Sequence, residues 1–255
     1  MGDLLIVERF GPVLKLTLNR PEVRNAFNED LIESLHQALS NLEPTVRAVV
    51  LTGEGVAFCA GGDLDWMRRA SELSIQQNQA DALRLARLFQ KIVDCPAPVI
   101  ARVNGAAFGG GCGLIAAADV AISVESAQFA FSEVRLGLIP ATISPFVLNK
   151  IGPSHARHLF STGEMFPANH ALRIGLVHDV VSEQDLDSAV NRRIKAILNS
   201  GPKAVSSAKR LAAAPILSLE SAAEVLALVR ASPEAQEGIS AFLEKRSAGY
   251  VVPWP

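Results

Sequence analysis

The alternation of hydrophobic and polar positions predicts an opening pair of strands. "LLIVERF" (4–10) and "VLKLTLN" (13–19) have strand composition, and in the second Leu14, Leu16 and Leu18 alternate with polar residues. A Gly-Pro pair lies between the two segments, which predicts a hairpin. Further strands are predicted at "RAVVLTG" (47–53), "APVIARVNG" (97–105), "ADVAISV" (118–124) and "AQFAFSE" (127–133).

Segments with the spacing of helices lie between these strands and make up the rest of the chain after them. Asn28 is a good N-cap for a helix whose apolar positions follow the helical repeat, namely Leu31, Ile32, Leu35, Ala38 and Leu39. After residue 183 the pattern becomes that of four consecutive amphipathic helices, within the segments 183–214, 218–232 and 233–246. The breaks between them are a Gly-Pro pair inside the first segment, a Pro after it, and a Ser-Pro pair between the last two segments. We therefore expect an α/β core over 1–183 and a helical C-terminal region over 184–255.

Composition and charge narrow the function classes. Hydrophobic residues make up 49% and charged residues 20% of the 255 positions, which favours one large globular domain. The formal net charge of -2 provides no basic field for nucleic acid or anionic lipid. The N-terminus does not resemble a signal peptide, the apolar runs are too short to span a bilayer, and three cysteines form no even disulfide set. We expect a cytoplasmic protein without membrane or nucleic-acid partners.

Two glycine-rich segments carry the candidate chemistry. "AFCAGGDLDWM" (57–67) follows a predicted strand and enters helical sequence near Asp63, and "FGGGCGL" (108–114) opens an apolar helix. The first N–H groups of a helix have no partner within the helix. The two helix starts therefore suggest two N–H donors converging on one oxygen, an oxyanion hole worth roughly 3 to 4 kcal/mol per donor. The alternative is that the glycines only permit tight packing.

The sequence lacks the residues that other nucleotide-binding, nucleophilic and metal-binding motifs require. Residue 114 is Leu, which breaks a dinucleotide fingerprint, and no Gly-Lys-Ser/Thr follows for a phosphate loop. No Gly-x-Ser-x-Gly elbow is present, and Cys112 lies in an apolar helix where a thiolate is costly. His155 and His158 lie one helical turn apart without an evident third ligand, which favours a solvated helix face over a metal site.

Glu133 is the candidate proton-transfer residue. It follows the apolar strand "AQFAF" and precedes a loop of Leu, Gly, Ile and Pro. Desolvation there would bring the pKa of a glutamate closer to neutrality. The alternative is a surface glutamate paired with Arg135.

Four segments together resemble one family. "NRPEVRNAF", "FCAGGDL", "VNGAAFGGGCGL" and "FSEVRLGLIP", in this order and covering nearly the whole chain, look like the enoyl-CoA hydratase/isomerase (crotonase) superfamily. The resemblance implies an α/β spiral of ββα repeats with a C-terminal helical region that mediates trimerisation, commonly as a dimer of trimers. It also implies an acyl-CoA thioester substrate, no metal, and no separate cofactor, since coenzyme A is part of the substrate.

The resemblance also assigns residues. Gly62 and Gly110 match the two oxyanion donors, and Glu133 matches the catalytic glutamate. Residues matching the coenzyme-binding positions are Arg24, Ala26, Ala60 and Asp63, with Phe242 and Lys245 contacting coenzyme A from a neighbouring subunit. The alternative for Lys245 is a solvated helix face.

Gly113 is a departure from the family pattern. The resemblance implies that Gly113 lies at a substrate-binding position, where well-known hydratases carry a second glutamate. With one carboxylate, the chain resembles either a methylglutaconyl-CoA hydratase-like branch, with a branched or carboxylated substrate, or an isomerase that uses one glutamate. A non-catalytic acyl-CoA-binding protein is the alternative of another class. Thr142 and Ser144 could line the acyl pocket or cap the next helix.

Overall fold

Residues 3–214 and 216–255 are described by a computed structural model, in which strands and helices alternate up to residue 181. The strands are β1 Leu5–Phe10, β2 Val13–Leu18, β3 Ala48–Gly53, β4 Ala57–Cys59, β5 Val99–Val103, β6 Ala106–Phe108, β7 Val120–Val124, β8 Gln128–Ala130, β9 Met165–Pro167 and β10 Asp179–Val181. The helices are α1 Glu29–Ser40, α2 Leu64–Ser71, α3 Ile75–Val93, α4 Gly110–Ala117, α5 Ser144–Thr162, α6 Ala168–Arg173, α7 Leu186–Leu198, α8 Pro202–Ala213, α9 Leu219–Arg230 and α10 Pro233–Leu243.

The strands form two sheets, and the chain alternates between them as it proceeds. The larger sheet has the order β1-β2-β3-β5-β7-β10, and the smaller one has the order β4-β6-β8-β9. After the opening hairpin, the pairs β3–β4, β5–β6 and β7–β8 each add one strand to each sheet before the chain enters a helix. The strands contributed by successive turns are parallel, because each helix returns the chain to the same edge. The expected spiral of ββα repeats is confirmed.

The first predicted elements are also confirmed. β1 and β2 pair in antiparallel fashion, with Phe10 opposite Val13, and Gly11 makes the turn with a φ of +56°. The side chain of Asn28 caps α1 by accepting a hydrogen bond of 2.9 Å from the N–H of Leu31. These signals are local, so the sequence exposes them directly.

The strand predicted at 127–133 is shorter than expected. β8 ends at Ala130, and Glu133 lies on a 3₁₀ helix, Ser132–Leu136. The reason is pairing: Ala130 is opposite Phe108, the last residue of β6, and Met165, the first residue of β9. Beyond Ala130 no neighbouring strand continues, so the chain turns. The three-residue strands β4, β6, β9 and β10 were not predicted, because they are too short for a clear alternation pattern.

The C-terminal helices differ in how they meet the core. α7 buries Leu186, Val190 and Ile194 in the same hydrophobic core as the sheets. α8 is tied to the core by an ion pair of 2.7 Å between Lys209 and Asp119, whereas α9 is exposed along its whole length. The break predicted at Pro215 lies outside the described residues. The division at 183/184 stays a prediction about domain organisation.

Candidate active site

The two glycine-rich segments lie side by side because their strands are paired. β4 and β6 run parallel, with Cys59 opposite Ala107, so both chains leave the small sheet at the same edge. Gly61 turns the first chain with a φ of +90°, and a Cβ on it would lie 2.9 Å from the carbonyl oxygen of Phe108. Only a glycine permits this approach. The helices α2 and α4 then begin next to each other.

The N–H groups of Gly62 and Gly110 are free to bind a ligand. Phe27 brackets Gly62, since its N–H donates to Gly61 O at 2.7 Å and its carbonyl accepts from the Asp63 N–H at 2.8 Å. Gly110 is the first residue of α4, where an N–H has no partner within the helix. Within residues 3–214 and 216–255, neither amide donates to a backbone carbonyl.

Both glycines and Glu133 line one pocket of about 220 Å³. The carboxylate of Glu133 faces the bare side of Gly109, where a Cβ would lie 3.1 Å from Glu133 Oε1. Its Oε2 is buried and has no hydrogen-bond partner among the described residues. The structure therefore places a carboxylate with one partnerless oxygen beside two unpartnered N–H donors.

Burial changes the acidity of Glu133. Desolvation raises the pKa of its carboxyl above the ordinary value of 4.5, against a smaller opposing effect of its own backbone N–H. Arg135 is exposed and does not pair with Glu133 in the described chain. The alternative of a surface ion pair therefore does not describe this glutamate.

The rest of the pocket wall is mostly apolar and comes from three elements. α2 and α3 contribute one side, and the loop before α5 contributes the other. Thr142 belongs to this wall, whereas the hydroxyl of Ser144 donates to the carbonyl of Ala141 at the start of α5. The remaining lining residues are Phe27, Trp66, Met67, Ala70, Asn78, Asp81, Ala82, Leu85, Leu138, Ile139, Pro140 and Ile143.

Gly113 lies behind this wall. It is buried in α4, and a Cβ on it would lie 2.4 Å from Ile143 Cγ2 and 2.9 Å from Phe89 Cζ. Ile143 lines the pocket, but Gly113 does not. Core side chains thus fill the space that a second glutamate would need, and contact between Gly113 and substrate stays a prediction.

The predicted coenzyme residues of the N-terminal half meet beside Gly62. The carbonyl of Arg24 accepts from the Ala60 N–H at 2.9 Å, and the guanidinium of Arg20 joins the carbonyl of Ala26 to the carboxylate of Asp63. The side chain of Arg24 is exposed. The structure brings these positions together, and their contact with coenzyme A stays a prediction.

Asp63 has a structural task as well. Its carboxylate pairs with Arg20 at 2.8 Å, with both side chains nearly buried, and caps α2 through the N–H groups of Asp65 and Trp66. Burial opposes ionisation of Asp63, but these hydrogen bonds and the charge of Arg20 outweigh it and lower the pKa. The ion pair holds the Arg20–Phe27 loop against the start of α2.

Phe242 and Lys245 lie elsewhere. Phe242 is 83% exposed and lines a different cavity, between α8, α10 and Tyr250, and Lys245 is exposed just after α10. Neither lines the pocket of Glu133. Their predicted role involves a neighbouring subunit and stays a prediction.

Sequence reasoning missed Asp81 and Asn78. Both are on α3 and line the pocket. A signal was available: Asp81 occupies the helical register of the buried Leu85, Leu88 and Ile92, where the repeat favours an apolar residue. A carboxylate on the apolar face of a helix is unusual enough to mark a site.

The described residues contain neither a metal-ligand cluster nor a membrane-spanning helix. Across 3–214 and 216–255, no group of three or more His, Cys, Asp or Glu side chains could hold a metal ion. His158 pairs with Glu164 at 3.1 Å. None of the described helices combines the length and apolarity needed to cross a bilayer.

Comparison with known proteins gives one consistent result. The profile of the family "Enoyl-CoA hydratase/isomerase" matches residues 8–251. The chain is 33% identical to the crotonyl-CoA hydratase of Syntrophomonas wolfei, covering 97% of each protein. It is 35% identical to the 2,3-dehydroadipyl-CoA hydratase of Escherichia coli, covering 96% of this chain and 98% of the relative. A crystal structure of an enoyl-CoA hydratase from Shewanella pealeana superposes with a TM-score of 0.92 at 39% identity, covering 97% of this chain and 96% of that one.

Proposed function

We propose that this chain, which belongs to the enoyl-CoA hydratase/isomerase family, adds water to the double bond of an enoyl-CoA thioester. One observation carries the proposal: two free backbone N–H groups and one carboxylate, whose Oε2 is buried without a partner, line the same small pocket. This combination suits a reaction that passes through an enolate, because the amides stabilise the oxygen while the carboxylate moves a proton.

The mechanism needs only the residues of the pocket. The thioester oxygen accepts hydrogen bonds from Gly62 and Gly110. Glu133 removes a proton from water as the water oxygen bonds to the β-carbon, and the π electrons move to the thioester oxygen as an enolate. The protonated Glu133 then returns the proton to the α-carbon. Water is thereby added across the double bond and Glu133 regains its charge, so one carboxylate performs both proton transfers.

Double-bond migration is the second candidate. Gly113 provides no second carboxylate, and an isomerase needs only one base to carry a proton between two carbons of the acyl chain. The enolate and its two amide donors are the same in both reactions. The identity of the product therefore separates them.

The acyl group that we propose is short and branched. The pocket volume of about 220 Å³ and its wall of Phe27, Trp66 and Ile143 suit a small apolar group. The sequence led to the expectation of a branched or carboxylated acyl group of the methylglutaconyl type. The apolar wall supports the branched part of that expectation.

Coenzyme A would bind along two adjacent segments, the loop that contains Arg24 and Ala26 and the segment that contains Ala60 and Asp63. Arg24 has an exposed guanidinium, which suits a phosphate.

We further propose a homotrimer, or two trimers forming a hexamer. Every residue of α9 is exposed, including Val225, Leu226 and Leu228. Such an apolar surface indicates an interface with other copies of the chain, where Phe242 and Lys245 would contact the coenzyme of a neighbour.

Glu133→Gln tests the proposal. The variant should fold and bind saturated acyl-CoA, yet lose about 100-fold or more of the turnover on the best substrate in a panel of short straight, branched and carboxylated enoyl-CoA thioesters. The matched control is Glu125→Gln, which removes the same charge from an exposed position. Product analysis distinguishes a 3-hydroxyacyl-CoA from a shifted double bond. Wild-type turnover in Glu133→Gln would contradict the assigned base, and binding without turnover on the whole panel would indicate the non-catalytic binder.

A further inference from the structure

Asp81 is a buried carboxylate at the pocket that the proposed reaction leaves unused. It is 8% exposed, belongs to the buried face of α3, and lines the same pocket as Gly62, Gly110 and Glu133. Water still reaches this carboxylate, because neither of its oxygens is among the fully buried polar atoms that lack a partner. The charged groups around it therefore decide what an incoming acyl group meets.

The compensation that Asp81 receives from the protein is weak. Its carboxylate takes part in no described hydrogen bond, and the nearest cationic group, Arg84 Nη2, is 3.6 Å from Oδ1. That distance exceeds an ordinary hydrogen bond, and the Arg84 side chain is 60% exposed, so solvent screens the pair. Arg84 therefore neutralises the Asp81 carboxylate only weakly.

The charges of the described pocket wall all have the same sign. Glu133 and Asp81 are both carboxylates, and the lining includes no Lys, Arg or His. An acyl group that ends in a carboxylate would enter this pocket without a cationic partner and against two like charges. A neutral acyl group meets no such opposition, and a hydroxyl or a water molecule can donate a hydrogen bond to Asp81.

We propose that Asp81 is a specificity-determining residue that admits neutral acyl groups to this pocket and rejects those ending in a carboxylate. The proposal rests on the proposed function of the site as an acyl-CoA pocket, and it selects uncharged acyl groups over carboxylated ones among those considered above. Asn78, one helical turn before Asp81, lines the same wall with an uncharged side chain. A carboxylate at position 78 should therefore also weaken the binding of acyl groups that end in a carboxylate.

Binding of unreactive thioesters tests Asp81 without any turnover. Pentanoyl-CoA and glutaryl-CoA have acyl chains of equal length and differ in the terminal carboxylate. The wild-type protein should bind pentanoyl-CoA at least about tenfold more tightly, as measured by isothermal titration calorimetry. Asp81→Asn should reduce this ratio about tenfold, and Asn78→Asp should increase it. Asp94→Asn, at the exposed C-terminal end of the same helix, should leave the ratio unchanged.

The outcomes separate this inference from the reaction itself. Equal or tighter binding of glutaryl-CoA by the wild-type protein would overturn the role of Asp81, as would an unchanged ratio in Asp81→Asn. Hydration of the panel of short straight and branched enoyl-CoA thioesters, assayed separately, tests the proposed function. If hydration fails while the binding ratio responds to Asp81, the reaction is wrong and the specificity of the pocket stands.

Discussion

The carboxylate of Glu133 rests against the bare backbone of Gly109. A Cβ on Gly109 would lie 3.1 Å from Glu133 Oε1 and 3.5 Å from its carboxyl carbon. Gly109 also has a φ of +48° and a ψ of -114°, a conformation that residues with a side chain rarely adopt. One glycine thus has two effects: it turns the chain into α4 and leaves room for the carboxylate of Glu133.

Gly109→Ala should therefore impair both stability and activity. The strained backbone should lower the free energy of unfolding by about 1–3 kcal/mol, and the displaced carboxylate should lower kcat by about tenfold or more. Urea denaturation and steady-state assays measure the two effects. Gly152→Ala is the control, since its φ of +74° is also positive but no atom lies within 4 Å of the added Cβ. Gly152→Ala should lower the free energy of unfolding and leave kcat unchanged. If Gly152→Ala lowered kcat as much as Gly109→Ala does, the contact between residue 109 and Glu133 would not explain the loss.

The raised pKa of Glu133 predicts an acid limb in the pH profile. Glu133 must be ionised to take a proton from water, and burial raises its pKa above 4.5. As the pH falls through this raised pKa, kcat/KM should therefore decline at a pH higher than an ordinary glutamate would give. The measurement is kcat/KM on the best substrate, with circular dichroism at each pH to exclude unfolding. A constant kcat/KM in folded protein down to pH 4.5 would contradict the assignment.

Gly113→Ala should destabilise the protein although alanine favours helices. In an exposed helix the exchange stabilises by about 1 kcal/mol, but here the new Cβ would lie 2.4 Å from Ile143 Cγ2. We expect a loss of about 1–3 kcal/mol from overpacking. Ile143→Ala makes room, so the two substitutions combined should cost less than the sum of their separate effects. Additive losses in denaturation experiments would show that the two side chains do not compete for space.

The exposed surface of α9 predicts assembly. The protein should elute with the mass of a trimer or a hexamer in size-exclusion chromatography with light scattering. Leu226 and Leu228 are 54% and 69% exposed, so charging them should not disturb the core of one chain. Leu226→Glu combined with Leu228→Glu should therefore release folded monomers. A monomeric wild-type protein at micromolar concentration would contradict the proposed interface.

Much of the architecture was accessible from the sequence. The opening hairpin, the Asn28 cap, the helix starts at Asp63 and Gly110 and the four C-terminal helices all depend on neighbours a few residues apart. The apolar strand and the loop after it made Glu133 a candidate, but they left open the alternative of a surface ion pair with Arg135. The short strands β4, β6 and β9 were not accessible, because three residues carry no readable pattern.

By itself the sequence determined the types of the longer elements and the glycine-flanked helix starts, since hydrogen bonds and side-chain spacing within one segment decide them. Only the tertiary structure decided that Glu133 is unpaired, that Ile143 fills the space beside Gly113, and that Asp81 lines the pocket. These relationships join residues from different turns of the spiral. Their distances are set by the register of the parallel strands and by the packing of α3 and α5 against α4, which no local pattern encodes.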